Sequence, residues 1–250
     1  GCGFCEVNCL TCGFALSSRQ RIVIQREMTR LRNTGEDPRR LQQLEKEYKY
    51  WGNATCAGDG MCSTSCPMHI NMGELTHVLR QKELPEGSLG YKAGDLVAKH
   101  LAGIKATLRP MLTLADTAHA VLGTKAMSAI TRGMHQALKV PQWTPAMPKA
   151  FHVDKGLEAS QAKCSDKVVY FPSCINQTMG LPRKTPEKMA LVNKMVSLLN
   201  KAGYEIIFPK GMEHMCCGTI WESKGMMDIA DRKSRELEAA LWEASEHGKY

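Results

Sequence analysis

Apolar positions in the first third of the chain recur at helical spacing. Residues 17–33 carry Ile22, Met28 and Leu31 on one stripe, and Ser17 or Ser18 stands where a cap is needed, which predicts a helix. Gly35 and Pro38 break it, and Pro38 suits the first turn of a second helix reaching about residue 51. Gly52 and Asn53 are expected to end that helix, and 72–81 reads as a third. Residues 83–164 are rich in Ala, Met, Leu and Lys and are punctuated by Pro85, Gly87, Gly90, Pro110, Pro141, Pro145 and Pro148. They predict two or three helices followed by a proline-rich extended linker. From Lys167 the period changes. Residues 168–172 form a short apolar run ending in a turn, a helix is expected over about 186–202 with Gly203 as its stop, and 205–208 reads as a second strand. This β-α-β order predicts a small parallel sheet, and 226–247 closes the chain as an amphipathic helix.

Composition narrows the class. The 250 residues are 43% hydrophobic and 23% charged, as in a globular protein. The most apolar stretch, 101–130, is interrupted by Lys105, Arg109, Asp116 and Lys125, so no membrane span is expected. Much of the net charge of +8 belongs to a solvated helix face, where Arg26, Arg30, Arg39, Arg40, Lys46 and Lys49 alternate with Glu27, Glu36, Asp37, Glu45 and Glu47. No zinc-finger or aromatic RNA-binding signature accompanies that charge, which argues against a nucleic-acid partner and leaves peripheral association with an anionic membrane open. Eleven cysteines without a secretory signal favour metal ligation in a reducing cytosol over a disulfide framework.

The cysteine spacing carries the chemistry. Cys56-x2-Asp59-x2-Cys62-x3-Cys66-Pro67 has the spacing of a ferredoxin-type iron–sulfur run, with aspartate in the second slot. Cys2-x2-Cys5-x3-Cys9 matches the last three cysteines of such a run. The missing cysteine would stand just before Gly1, as if the chain were cut inside its own motif, and Cys12 is the residue that could substitute for it. In two-cluster ferredoxins the cysteine before the proline serves the other cluster. By that rule Cys56 and Cys62 hold one [4Fe-4S] cluster with Cys9, and Cys2 and Cys5 hold the other with Cys66. Asp59 is either a labile fourth ligand or the residue of an Asp-Gly turn. The reading is mainly α: an α-helical ferredoxin-like domain over 1–82, a helical segment and linker over 83–164, and a small α/β cysteine-rich domain over 165–250. Four nearby cysteines would also satisfy zinc. His69, His77 and His214 sit near cysteine motifs but read as packed or surface residues, Cys164 as an inert thiol, and Met212, Met215, Met226 and Met227 as core.

These residues bring a family into view. Cys2-Gly-Phe-Cys5-Glu-Val-Asn-Cys9, Ser17-Ser-Arg19-Gln-Arg21-Ile22, Thr55-Cys56-Ala-Gly-Asp59-Gly-Met-Cys62 and Cys66-Pro67 resemble the iron–sulfur region of FAD-linked D-lactate dehydrogenases, relatives of glycolate oxidase. Where many relatives read Cys-Pro-Val-Gly-Ile-Asn, this chain has Cys66-Pro67-Met68-His69-Ile70-Asn71. Phe171-Pro-Ser-Cys174 and Cys216-Cys217-Gly218 resemble the cysteine-rich (CCG) domain shared with heterodisulfide reductases. That likeness implies that Cys174, Cys216 and Cys217 hold a further cluster or form a redox-active thiol site.

The resemblance implies an electron-transfer module. Electrons would come from an upstream FAD domain, absent from these residues, that oxidises D-lactate or another 2-hydroxy acid, and would pass to a quinone or cytochrome. The module alone is not expected to oxidise lactate. It would work in the cytoplasm or against the inner face of the plasma membrane. The alternatives are a thiol/disulfide oxidoreductase built on Cys174, Cys216 and Cys217, and a zinc-stabilised interaction domain.

Overall fold

The computed structural model describes residues 2–138, 140, 142–154 and 166–250, so Cys164 and most of the end of the expected linker lie outside it. The chain is mainly helical. The first helix, α1 (Ser18–Thr34), begins at a capping box: Ser17 accepts the Gln20 N–H, and the Gln20 side chain accepts the Ser17 N–H. Gly35, in the left-handed conformation, ends it. Its buried face is Ser18, Arg21, Met28 and Leu31, which places an arginine in the apolar stripe.

Helix α2 (Pro38–Tyr48) starts with proline in its first turn, behind an Asp37 cap that accepts the Arg40 N–H. It does not run on to residue 51. From Lys49 to Ala54 the backbone widens into a π-helical turn that buries Gly52 and Asn53, so these two residues lie inside a turn and do not end a helix. Gly52 is required there, because a Cβ would come within 2.5 Å of the Tyr48 ring. Two further helices frame the second cysteine run, α3 (Met61–Thr64) and α4 (Met72–Glu83), the latter capped by Asn71. Up to residue 138 the only extended pairing among the described residues is an isolated bridge between Cys12 and Ala15.

Helices α5 (Leu89–Lys99) and α6 (Leu101–Leu138) follow, and α6 departs from helical geometry at Gly123. The segment expected to be only a linker contributes a strand, β1 (Pro148–Ala150), paired antiparallel with β3 (Met179–Pro182). Strand β2 (Asp166–Val169) pairs parallel with β4 (Tyr204–Ile207), Val168 opposite Ile206, and α7 (Leu191–Lys201) lies between them in sequence. This is the expected β-α-β unit, with its helix starting about five residues late. Helices α8 (Thr219–Glu222) and α9 (Met227–Ala244) complete the chain. No helix among the described residues is long and apolar enough to cross a membrane.

Two compact units result. One runs to Gly94 and includes Thr219–Ala230; the other comprises Asp95–Gly218 and Asp231–Tyr250. In the first, Met28, Leu31, Met72, Trp221 and Ile229 are buried, and the Trp221 indole donates to the Gly94 carbonyl at 3.1 Å. In the second, Val196, Ile206 and Phe208 form a core with Val168, Tyr170 and Leu199 packed against it.

The tightest approach in the first unit is at Gly225, which has φ +80°. A Cβ there would lie 2.3 Å from the Gln81 nitrogen, a backbone atom that cannot step aside. Gly225→Ala is expected to destabilise this unit by about 2 kcal/mol or more, read as a lower urea midpoint. An unchanged midpoint would contradict the packing described.

Candidate functional site

The first cysteine run folds as a single 3-10 turn, Phe4–Asn8, tied down at both ends. Glu6 accepts from the Ser17 hydroxyl and pairs with Arg19 at 3.2 Å, fastening the turn to the start of α1. The Ser17 hydrogen bond, with help from Arg19, outweighs desolvation and lowers the Glu6 carboxyl below its usual range. On the other side, the Asn8 amide donates to the Thr64 and Ser65 hydroxyls at 3.0 and 2.6 Å. The two cysteine runs, about sixty residues apart in sequence, are thereby held together.

The second run is shaped by glycines and by α4. Gly58 and Gly60 have φ near +70°, and a Cβ on Gly58 would meet His77 Nε2 at 2.6 Å. The Asp59 carboxylate accepts the Met61 N–H through Oδ1 at 3.2 Å, forming a local turn. At the start of α4 the Met72 N–H points at Cys62 Sγ, 3.3 Å away. Behind the run, Arg80 gathers the carbonyls of Asn53 (2.6 Å), Cys56 (2.7 Å) and Ser223 (2.6 Å). The loop that delivers Cys56 is therefore clamped by its backbone.

One cavity results, lined by Cys9, Cys56, Asp59 and Cys62 together with Thr11, Arg21 and Met72. Its volume is about 20 Å³, room for about one water molecule. Among the described residues no three His, Cys, Asp or Glu side chains close on a single-ion site, so the four candidates surround a space and do not converge on a point. Cys2, Cys5 and Cys66 stand outside this cavity. Cys2 and Cys12 are exposed; Cys5 and Cys66 are half-buried. The Ser18 hydroxyl reaches the Cys5 carbonyl at 3.3 Å.

Arg21 governs the electrostatics. Its side chain is 1% exposed. Nε donates to the Gly52 carbonyl at 2.6 Å, Nη2 to the hydroxyls of Thr11 (3.1 Å) and Thr55 (3.0 Å), and Nη1 lies 3.8 Å from Cys9 Sγ. Among the described residues, no carboxylate lies within ion-pair distance. A buried charge without a counter-charge costs several kcal/mol, so this arrangement calls for an anion nearby. Burial pushes the Cys9 thiol up, but contacts with Thr11 and the Ser18 backbone, and the Arg21 charge, together bring it below its ordinary value.

None of the three histidines lines this cavity, and His77 abuts Gly58 in the second run. His77 faces Glu222 at 3.8 Å, His214 faces Glu213 at 3.7 Å, and His69 is an exposed residue with φ 52°. Sequence reasoning missed the supporting residues Asn8, Thr11, Thr55 and Arg80. Arg21 left one trace: a charge in register with Met28 on an otherwise apolar stripe.

The second unit holds the other thiols. Cys174 Sγ and Cys216 Sγ are 4.0 Å apart; Cys216 is buried and Cys217 exposed. Lys105, from α6, is 4% exposed and donates to Gln177 Oε1 at 2.8 Å and more weakly to the Met212 carbonyl. Gln177 in turn donates to the Pro172 carbonyl at 2.7 Å, fixing the turn that carries Cys174. The hydrogen bond from Cys216 is the main reason the Cys174 thiol falls to about 6; burial opposes it, and the Lys105 charge assists. The same hydrogen bond, with burial, pushes Cys216 up, so the pair shares one proton with the charge on Cys174.

Comparisons of the chain with protein-family models, curated proteins and solved structures find no match.

Cys174 should therefore be the thiolate of the pair at neutral pH. Its alkylation by iodoacetamide, followed by peptide mass spectrometry, is expected to reach half its maximal rate near pH 6. In Cys216→Ala the midpoint should move up toward the free-thiol value of about 8.5. A midpoint above pH 8 in the unaltered protein would contradict the assignment.

Proposed function

We propose that this chain is an electron-transfer iron–sulfur module of a flavin-dependent 2-hydroxy acid dehydrogenase, with D-lactate the favoured substrate of the whole protein. The supporting observation is the cavity that collects Cys9, Cys56, Asp59 and Cys62 from two distant loops beside a buried, uncompensated arginine. The donor set fits a [4Fe-4S] cluster, which when bound supplies one-electron storage and transfer. Cys9, Cys56 and Cys62 would hold it as thiolates. Asp59, whose Oδ1 is engaged by the Met61 N–H, would use Oδ2 as the fourth and most labile ligand.

Cys2, Cys5 and Cys66, with Cys12 in reserve, are the proposed ligands of a second cluster in the same α-helical ferredoxin-like unit. The resemblance to FAD-linked D-lactate dehydrogenases supplies the rest of the reading. An FAD domain is the electron donor, a quinone or cytochrome the acceptor, and the cytoplasm or the inner face of the plasma membrane the place of work. What this chain contributes is enclosure, a fixed cation and hydrogen-bond donors aimed at sulfur, all of which tune a cluster's potential.

A second reading is favoured by the 4.0 Å approach of Cys174 and Cys216: a dithiol of heterodisulfide-reductase type. Cys174 as thiolate attacks a substrate disulfide, forming a mixed disulfide and expelling one half of the substrate as a thiolate. Cys216 then attacks the Cys174 sulfur, forming the Cys174–Cys216 bond and releasing the other half as a thiol that carries the Cys216 proton. The substrate disulfide is reduced and the dithiol oxidised.

Iron and acid-labile sulfide per chain, after anaerobic reconstitution, test the main reading. Near-equal iron and sulfide are expected, with loss of one cluster's share in Cys62→Ser while the second unit stays folded. Unchanged iron in that variant, or zinc without sulfide in the unaltered chain, would overturn the reading. Asp59→Cys should slow iron release to a chelator several-fold; equal release rates would reduce Asp59 to a turn residue.

A further inference from the structure

We infer that Arg21 is the charge-compensating residue of the centre held by Cys9, Cys56 and Cys62, governing both its retention and its reduction potential; this rests on the iron–sulfur reading above. Three observations carry it. First, Arg21 is 1% exposed yet among the described residues has only neutral partners besides Cys9. The Thr55 hydroxyl gives its own proton to the Trp51 carbonyl and so offers Arg21 a lone pair. Second, the fork spends Nε and Nη2 on Gly52, Thr11 and Thr55, which leaves Nη1 as the end directed at Cys9 Sγ. Third, the cavity that Arg21 lines is the one lined by Cys9, Cys56, Asp59 and Cys62.

A role confined to folding does not account for this arrangement. The carbonyls of the π-helical turn and the loop after it are already gathered by Arg80, which reaches Asn53 and Cys56. Arg21 takes one carbonyl from that turn and turns its other end toward sulfur. A thiolate-ligated cluster is a net anion and becomes more negative on reduction. A fixed cation beside one ligand sulfur therefore favours binding of the cluster and favours its reduced form. Arg21 acts through Cys9, as a positioning and potential-setting residue.

The test compares wild type, Arg21→Gln, Arg21→Lys and Arg30→Gln in the full chain, reconstituted with iron and sulfide and titrated redox-potentiometrically by EPR. Arg21→Gln is expected to lower the reduced-to-oxidised ratio at fixed potential about tenfold, a midpoint lower by 59 mV for a one-electron couple. Arg21→Lys keeps the charge without the fork and should stay nearer wild type in both loading and midpoint. Arg30→Gln removes an exposed charge from the same helix, paired with Glu27 and Glu36, and should leave the potential unmoved. If Arg21→Gln cannot retain a cluster, loading restored in Arg21→Lys supports the inference, and equal loss in both overturns it. An unchanged potential in Arg21→Gln, or an equal shift in Arg30→Gln, would also overturn it while leaving the iron–sulfur reading intact. A wild-type chain that takes up no iron overturns both.

Discussion

Placing a guanidinium out of reach of water and away from any carboxylate is among the more costly choices a small folded unit can make. The first unit makes it at Arg21, and most of its irregular features follow from accommodating that charge. The π-helical turn presents the Gly52 carbonyl to Nε, and Thr11 and Thr55 are placed to accept from Nη2. The capping box at Ser17 sets the start of α1, and with it the position of Arg21 one turn in. What these neutral partners leave unbalanced is a full positive charge, and the group within reach able to answer it is the Cys9 thiol, 3.8 Å from Nη1.

The second unit repeats the theme with a different cation. Lys105 is buried against Gln177 and the Met212 carbonyl, and burial, the largest influence on it, pulls its ammonium below its usual range. The Arg109 charge acts with burial, while negative charge on Cys174 and Glu213 works the other way. In both units, then, a helix contributes a buried cation to a group of cysteines. Within each unit the cation favours a thiolate over a thiol, the form needed equally for metal ligation and for disulfide attack.

Local chemistry in the sequence was readable wherever a short-range rule decides the outcome. The Ser17 cap, the Gly35 stop, Pro38 at a helix start and the β-α-β order around 166–207 all follow from such rules. The π-helical turn was not readable, because it depends on Tyr48 packing onto Gly52 and on two arginines arriving from other helices. Strand β1 was hidden because Pro148 and its neighbours read as linker until β3 supplies a partner. At the site, ferredoxin-type spacing groups Cys9 with Cys56 and Cys62, because such a run sends its last cysteine across to the other run, and the three line one cavity. The supporting shell stayed hidden. Asn8, Thr11 and Thr55 are ordinary polar residues until the fold brings Asn8 onto Thr64 and Ser65, and the Arg21 guanidinium onto Thr11 and Thr55.

Whether the space beside Arg21 holds iron is the central question. Anomalous difference density, collected on both sides of the iron absorption edge from a crystal of the reconstituted chain, answers that most directly. The account predicts a compact iron peak bonded to the sulfurs of Cys9, Cys56 and Cys62 and lying on the Nη1 side of Arg21. An empty cavity in crystals that carry iron elsewhere, or a single zinc peak bound by these cysteines, would contradict it.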